Sequence, residues 1–319
     1  MSKYILKRLL QLIPVLIGVI TIVFILNQLM PGDPARMLAG EGATEEAVER
    51  VRVEMGLDKP VIVQYINYLA GIVTRGDLGT SYKTGVPVLT EVLERLPTTM
   101  ILAGISTLIS VGIGVPLGIA AATWQNTLVD YAASGLSFIG VSMPNFWQGL
   151  MNILVFSVYL NWLPSSGFYG PRYWILPALT VGTSCMATIT RTTRSSMLEV
   201  IRQDYIRTAR AKGQTEYQTI VRHALGNALI PIVTIVGLEF GSLLGGAVLT
   251  ESVFAIPGIG KYMVDAITNR NYPVIMGGVA ILAFIFSICN LVIDVLYAYI
   301  DPRMKSQYST KKRKAEVTE

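Results

Sequence analysis

The sequence predicts an all-α, polytopic membrane protein with six transmembrane helices and a small helical subdomain on the extracytoplasmic side. Three observations carry this expectation. Hydrophobic residues make up 52% of the 319-residue chain and only 15% are charged, whereas soluble domains carry about a quarter charged residues. The apolar residues are gathered into stretches of the length that crosses hydrocarbon, roughly 17–25 residues. The basic residues fall into a few blocks that alternate with those stretches, the orientation signal of an inserted protein. A net charge of +5 therefore needs no nucleic acid to explain it.

The first apolar run, 9–29, follows Lys3, Lys7 and Arg8. It is longer than a signal-peptide core and no small-residue cleavage site precedes Met30-Pro31. Residues 1–30 are thus expected to form a cytoplasmic N-terminal end and a retained first span. The next segment, 31–96, turns polar: between 31 and 95 it holds ten acidic and seven basic residues. Thr44 before Glu45 and Glu46 reads as a helix start, since a hydroxyl caps free amides and acids suit the positive dipole end. Val48, Val51, Met55, then Val61, Tyr65, Tyr68 and Leu69 recur at helical spacing.

A five-helix core is expected over 97–300, with spans at 97–123, 131–160, 174–190, 228–250 and 274–300. Ser142-Met143-Pro144-Asn145 interrupts the second of these, because proline removes a backbone donor. Trp162, Tyr169, Tyr173 and Trp174 form an interfacial aromatic cluster. Counting spans puts both termini in the cytoplasm. The basic blocks agree: three Lys/Arg before the first span, seven in 191–222 and six in the tail 301–319. The loop 124–130 has no Lys or Arg and is placed by counting alone.

The longest cytoplasmic insertion, 191–227, carries the strongest functional signal. Its stretch from Tyr205 through Arg207, Ala209, Arg210, Ala211 and Lys212 reads as a helix with a basic last turn, closed by Gly213 as a left-handed cap. Thr215 and Gln218 have capping-box spacing for a second helix, which runs past Tyr217 and His223 to Asn227 and Pro231. Basic cytoplasmic loops ordinarily reflect topology and phospholipid contact. A turn with caps on both sides is also a lever on which a soluble partner could push.

This segment resembles the coupling ("EAA") loop of ABC-importer permeases, with Ala209, Ala211, Gly213 and Pro231 at the matching places; Thr208 departs from the acidic residue usual at the loop's start. Further strings resemble the oligopeptide/dipeptide/nickel permease family: Leu29 to Ala35, Gly76 to Ser81, Leu160 to Pro164, Gly245-Gly246-Ala247-Val248, Glu251 to Gly260, Tyr272-Pro273-Val274 and Asp301-Pro302-Arg303. The resemblance spans essentially the whole chain. It implies the first permease of a heterodimeric pair in a bacterial or archaeal inner membrane, with a sister permease, two ATP-binding subunits inside and a solute-binding protein outside. ATP and Mg would sit on those partner subunits; this chain would hold no cofactor and no metal. Peptides, glutathione, opines and nickel chelates are the family's cargoes, peptide the commonest.

Pathway or gate candidates are Asn145, Glu239, Gly245, Gly246, Glu251 and Pro257. Intramembrane acids are costly, so Glu239 either faces a water-filled passage or pairs inside the bundle; Asp294, nearer the cytoplasm, suits a structural hydrogen bond. Gly112, Gly114 and Gly118 resemble a dinucleotide fingerprint but lie in a span, where small residues permit close packing. Gly237, Gly241 and Gly245 form a comparable ridge, for packing or for lining a pore. Pro257-Gly258-Ile259-Gly260-Lys261 imitates a phosphate loop, but Ala255 and Tyr262 stand where glycine and Ser/Thr are needed. Cys185, Cys289 and the single His223 form neither a disulfide framework nor a metal set. A secondary transporter would usually show internal repeats and midplane ionisable groups, and an intramembrane hydrolase a nucleophile with its base.

Overall fold

The computed structural model describes residues 2–40 and 42–300; the side chains of 2–5, 7, 246, 294 and 296–300 are not described. The tail 301–319, with its Asp301-Pro302-Arg303 string, and the side chain of Asp294 therefore lie outside the described residues. Every regular element among the described residues is helical. The chain groups into two compact units, Met1–Thr99 with Pro257–Ile285 and Met100–Ile256 with Phe286–Glu319.

The first unit begins with α1 (Ser2–Leu29), α2 (Pro34–Ala39), α3 (Glu45–Glu54) and α4 (Val61–Arg75). Asp33 starts α2 by accepting the Ala35 N–H at 3.1 Å, with Pro34 in the first turn where its missing donor costs nothing. The other Asp33 oxygen meets Arg52 at 2.5 Å and so ties α2 to α3. Thr44 caps α3 through the Ala47 N–H, as its sequence position predicts. Gly76, at φ +63°, ends α4 in the left-handed conformation that glycine adopts without strain. The loop that follows is held by Asn271, which donates to Ser81 Oγ at 2.9 Å and accepts the Tyr82 N–H at 3.1 Å.

The unit is completed by the start of α5 (Val88–Thr123) and, later in the chain, by α13 (Ile259–Thr268) and the start of α14 (Tyr272–Ile300). Its core joins Leu78, Val88, Val92, Ile259, Met263, Val274 and Ile275. Thr99 Oγ1 accepts the Ile259 N–H at 2.9 Å. The Tyr262 hydroxyl donates to buried Glu91, and Arg95 lies 4.2 Å from the Tyr262 ring centre.

In the second unit the expected span 131–160 is divided. α6 (Leu128–Ser142) stops at Met143, whose ψ of 126° is extended because Pro144 follows. α7 (Asn145–Asn152) continues into a π-helical stretch, Ile153–Tyr159. α8 (Arg172–Ile201) runs eleven residues beyond the expected end of its span at 190, through Thr, Ser and Arg residues that are polar but still helix-compatible. Next come α9 (Asp204–Ala211), α10 (Glu216–Gln218), a second π stretch (Thr219–Ala224), α11 (Leu225–Gly246) and α12 (Val248–Val253). α8 is the hub, packing against α6, α7, α11 and α12.

Glycine sets the closest of these approaches. A Cβ at Gly118 would lie 2.5 Å from Thr193 Cβ, and one at Gly114 would lie 2.9 Å from the Met186 carbonyl, whereas Gly112 faces open space. Gly237 is pressed against Ile293 and Gly241 against Phe286, but Gly245 has nothing within 4 Å. The two glycine ridges thus serve packing at four of six positions.

Four stretches among the described residues are long and apolar enough to cross a membrane: Arg8–Leu29, Val88–Thr123, Glu216–Gly245 and Tyr272–Ile293. They coincide with four of the six expected spans. The divided segment and polar α8 fall outside that set, for the reasons just given.

Candidate functional site

The segment after α8 is built locally. α9 buries Ile206 and Ala209 and exposes Tyr205 and Arg207. It ends at Lys212, and Gly213 takes φ +78° with no neighbour near its missing Cβ. The Gly213 N–H donates to the Arg210 carbonyl at 3.0 Å. Thr215 Oγ1 then accepts the Gln218 N–H at 3.3 Å and opens α10. Arg210 reaches across the turn to Glu216 with both nitrogens, at 2.6 and 3.1 Å. That hydrogen-bonded contact holds the Glu216 carboxyl below its ordinary range and the Arg210 guanidinium above its own.

Beyond the turn, the wide-wound stretch 219–224 carries Ile220 and Ala224 inward. With Ile206 they pack on Ala122 at the end of α5, Met197 of α8, and Ala228 and Ile232 of α11. Asn227 donates to the His223 carbonyl at 3.1 Å, and His223 Nε2 is buried without a partner among the described residues. Ala211, Lys212 and Tyr217 stay exposed, Tyr217 by 76%. One face of the helix–turn–helix is therefore fastened to the ends of three long helices. The other, with Tyr205, Arg207, Ala211, Lys212 and Tyr217, is uncovered.

A neighbouring contact was not foreseen in the sequence. Asp130, only 2% exposed, receives Arg194 side-on at 2.6 and 2.8 Å, the Asn126 N–H at 3.0 Å and the Ser134 hydroxyl at 3.3 Å. The Arg194 hydrogen bonds hold its carboxyl down at about 2. This pair joins the first turn of α6 to the same end of α8 on which α9 rests. A lone acid at the border of an apolar run was its one visible signal.

The pathway candidates are dispersed. Asn145 is half-buried at the start of α7, Gly245 is exposed near the end of α11, and Gly246 closes that helix. Glu239 is close enough to the Cys185 thiol to interact with it electrostatically, which places it beside α8. Glu251 is fully buried on α12 and is itself partnered. Pro257 is exposed ahead of α13. A polar seam not foreseen in the sequence runs along α7 and α8, where Asn152 donates to Thr180 at 2.8 Å and Gln148 donates to Thr183. Among the described residues no group of His, Cys, Asp and Glu is arranged to hold a metal.

Comparison with known proteins adds three findings. The family model described as "Binding-protein-dependent transport system inner membrane component" matches residues 114–306, and its N-terminal companion matches 1–103. The chain is 44% identical to the dipeptide transport system permease protein DppB of Alkalihalophilus pseudofirmus and 40% identical to that of Escherichia coli (strain K12). It is 43% identical to the glutathione transport system permease protein GsiC of Salmonella typhimurium. Each comparison covers 96% of this chain and 99–100% of the relative. Among solved structures, an inward-facing MetNI methionine ABC transporter chain aligns with a TM-score of 0.55 at 18% identity, covering 67% of this chain and 97% of that one; this likeness concerns the fold. On these matches the chain belongs to the inner-membrane components of binding-protein-dependent transport systems.

Proposed function

We propose that this chain is the permease subunit of an ATP-driven importer, that it forms half of the path for short peptides, and that residues 204–227 couple it to an ATPase. The observation that supports coupling is the two-faced helix–turn–helix, fastened by Ile206, Ile220 and Ala224 to α5, α8 and α11 and bare on its other side. A partner pressing on Ala211, Lys212 and Tyr217 would move all three helix ends together. Nucleotide shifts such an equilibrium only if it favours one arrangement of the partner over the other. In this reading ATP and Mg reside on two partner subunits, a sister permease supplies the second half of the path, and a solute-binding protein delivers cargo from outside. Both chain ends are cytoplasmic, as the distribution of basic residues supports.

The names of the DppB relatives favour dipeptide as cargo. Glutathione, itself a short peptide, is the second reading, favoured by the GsiC relative at 43% identity. The test is ATP-driven uptake of dialanine and of glutathione by the reconstituted complex, with wild type and Ala211→Asp side by side. Ala211 is exposed, so a carboxylate there leaves the fold intact while placing charge on the bare face. We expect hydrolysis to persist with uptake lost. Normal uptake by a stably inserted Ala211→Asp complex overturns the coupling role.

A further inference from the structure

The first unit contains a cavity of about 520 Å³ between the last turn of α1, the α3–α4 turn and the first turn of α14. This volume falls within the roughly 300–1,000 Å³ usual for small-molecule sites. One part of the lining is apolar, formed by Phe24, Met30, Leu57, Leu78 and Met276. The rest is polar in an unusual way. Three residues lining this one cavity, Asn27, Tyr68 and Tyr272, hold a buried Nδ2 or hydroxyl with no hydrogen-bond partner among the described residues. Tyr272 is only 6% exposed. An unpartnered buried polar group is costly, and three at one cavity mark a place where a polar ligand belongs. Burial raises the Tyr68 hydroxyl above its ordinary range, so it keeps its proton and remains a donor.

The cavity also has charge to offer. Arg52 in its wall is already held by Asp33 and Glu49, but Lys59 and Glu54 form no ion pair among the described residues. We propose that this cavity is a binding site for a short zwitterionic peptide. Lys59 and the two tyrosine hydroxyls would meet its carboxylate and carbonyl oxygens, Glu54 its ammonium group, and the Phe24–Met276 wall its side chains. A cation and an anion on one partly apolar cavity distinguish such a ligand from a simple anion or a lipid tail. The inference rests on the importer reading and on the span count that places 31–96 outside; it adds a site on the permease itself.

The experiment uses the assembled transporter in nanodiscs without its solute-binding protein. Dialanine, N-acetyl-dialanine and dialanine amide are titrated against it, followed by ligand-observed NMR and by melting temperature. Dialanine is expected to bind saturably and to raise the melting temperature, and each capped peptide to bind about tenfold more weakly, the worth of one charge-assisted contact. Tyr68→Phe with Tyr272→Phe is expected to leave the ligand-free complex as stable or more so, since it removes unpartnered hydroxyls, yet to abolish the dialanine shift. Lys59→Gln, on the exposed rim, is expected to weaken binding about tenfold without touching the core. No dialanine binding in a complex that still takes up dialanine with ATP and binding protein overturns this inference alone. So does a dialanine-soaked structure with ordered water only in the cavity. Failure of uptake in that wild-type complex overturns the importer reading instead.

Discussion

Arg194→Met removes two N–H donors from a carboxylate that is 2% exposed and leaves it the Asn126 amide and the Ser134 hydroxyl. Two routes give the magnitude. Holding the Asp130 carboxyl at about 2 rather than 3.8 contributes about 2 kcal/mol at neutral pH. Removing one partner costs more, because the remaining charge stays desolvated; such losses run about 3–5 kcal/mol, and the 30% exposure of Arg194 puts this one near 3. The assay is denaturant unfolding of the purified complex for Arg194→Met, Asp130→Asn and the double variant, with an expected coupling energy of about 2 kcal/mol. Because the folded-state pKa lies below the unfolded one, the stabilisation is fully present above about 3.8 and is lost as pH falls toward about 2. Wild type should therefore keep a constant advantage between pH 5 and 8. A coupling energy below about 0.5 kcal/mol, the range of an exposed pair, would refute the reasoning.

Other consequences are smaller or more local. Gly118→Ala should destabilise by about 1–3 kcal/mol, because its Cβ meets Thr193 at 2.5 Å and the Thr190 carbonyl at 2.7 Å. Gly112→Ala, facing open space on the same helix, should be neutral or stabilising by about 0.5–1 kcal/mol; melting temperatures of the pair decide. Thr215→Ala should cost about 1 kcal/mol of local stability and speed amide exchange of residues 216–220, with Thr215→Asp restoring protection.

What was legible in the sequence was local. Thr44, Thr215 and Gly213 each act through a neighbour three residues away, and each is found in the conformation its residue type demands. The break at Pro144 follows equally from a single residue's sterics. The long apolar helices were legible because hydrocarbon imposes both length and composition. The extension of α8 past residue 190 was hidden, since Arg191, Thr192, Thr193 and Arg194 end the hydropathy signal without ending the helix. Asp130 and Arg194 are 64 positions apart, and nothing in the loop 124–130 advertises its partner. Cys185 and Glu239 met for the same reason unseen. The helix–turn–helix of residues 204–227 was therefore readable almost whole, whereas contacts between distant helices depend on which helices face each other, which spacing along one chain does not encode.

The wide-wound stretch 219–224 explains an oddity in the apolar stripe beside it. Ile220, Ala224, Ala228 and Ile232 recur every four residues, a spacing that on a pure α-helix drifts about 40° per step, since each residue turns about 100°. Winding the first part wider turns the Ile220–Ala224 step the other way and so offsets part of that drift. A π turn of this kind is an α-helix carrying a spare residue. Deleting exposed Val221 would then let the helix rewind to the ordinary pitch while the residues on both sides keep their faces, so the chain carries here one position of slack, at the joint between the exposed turn and the long helix that follows it.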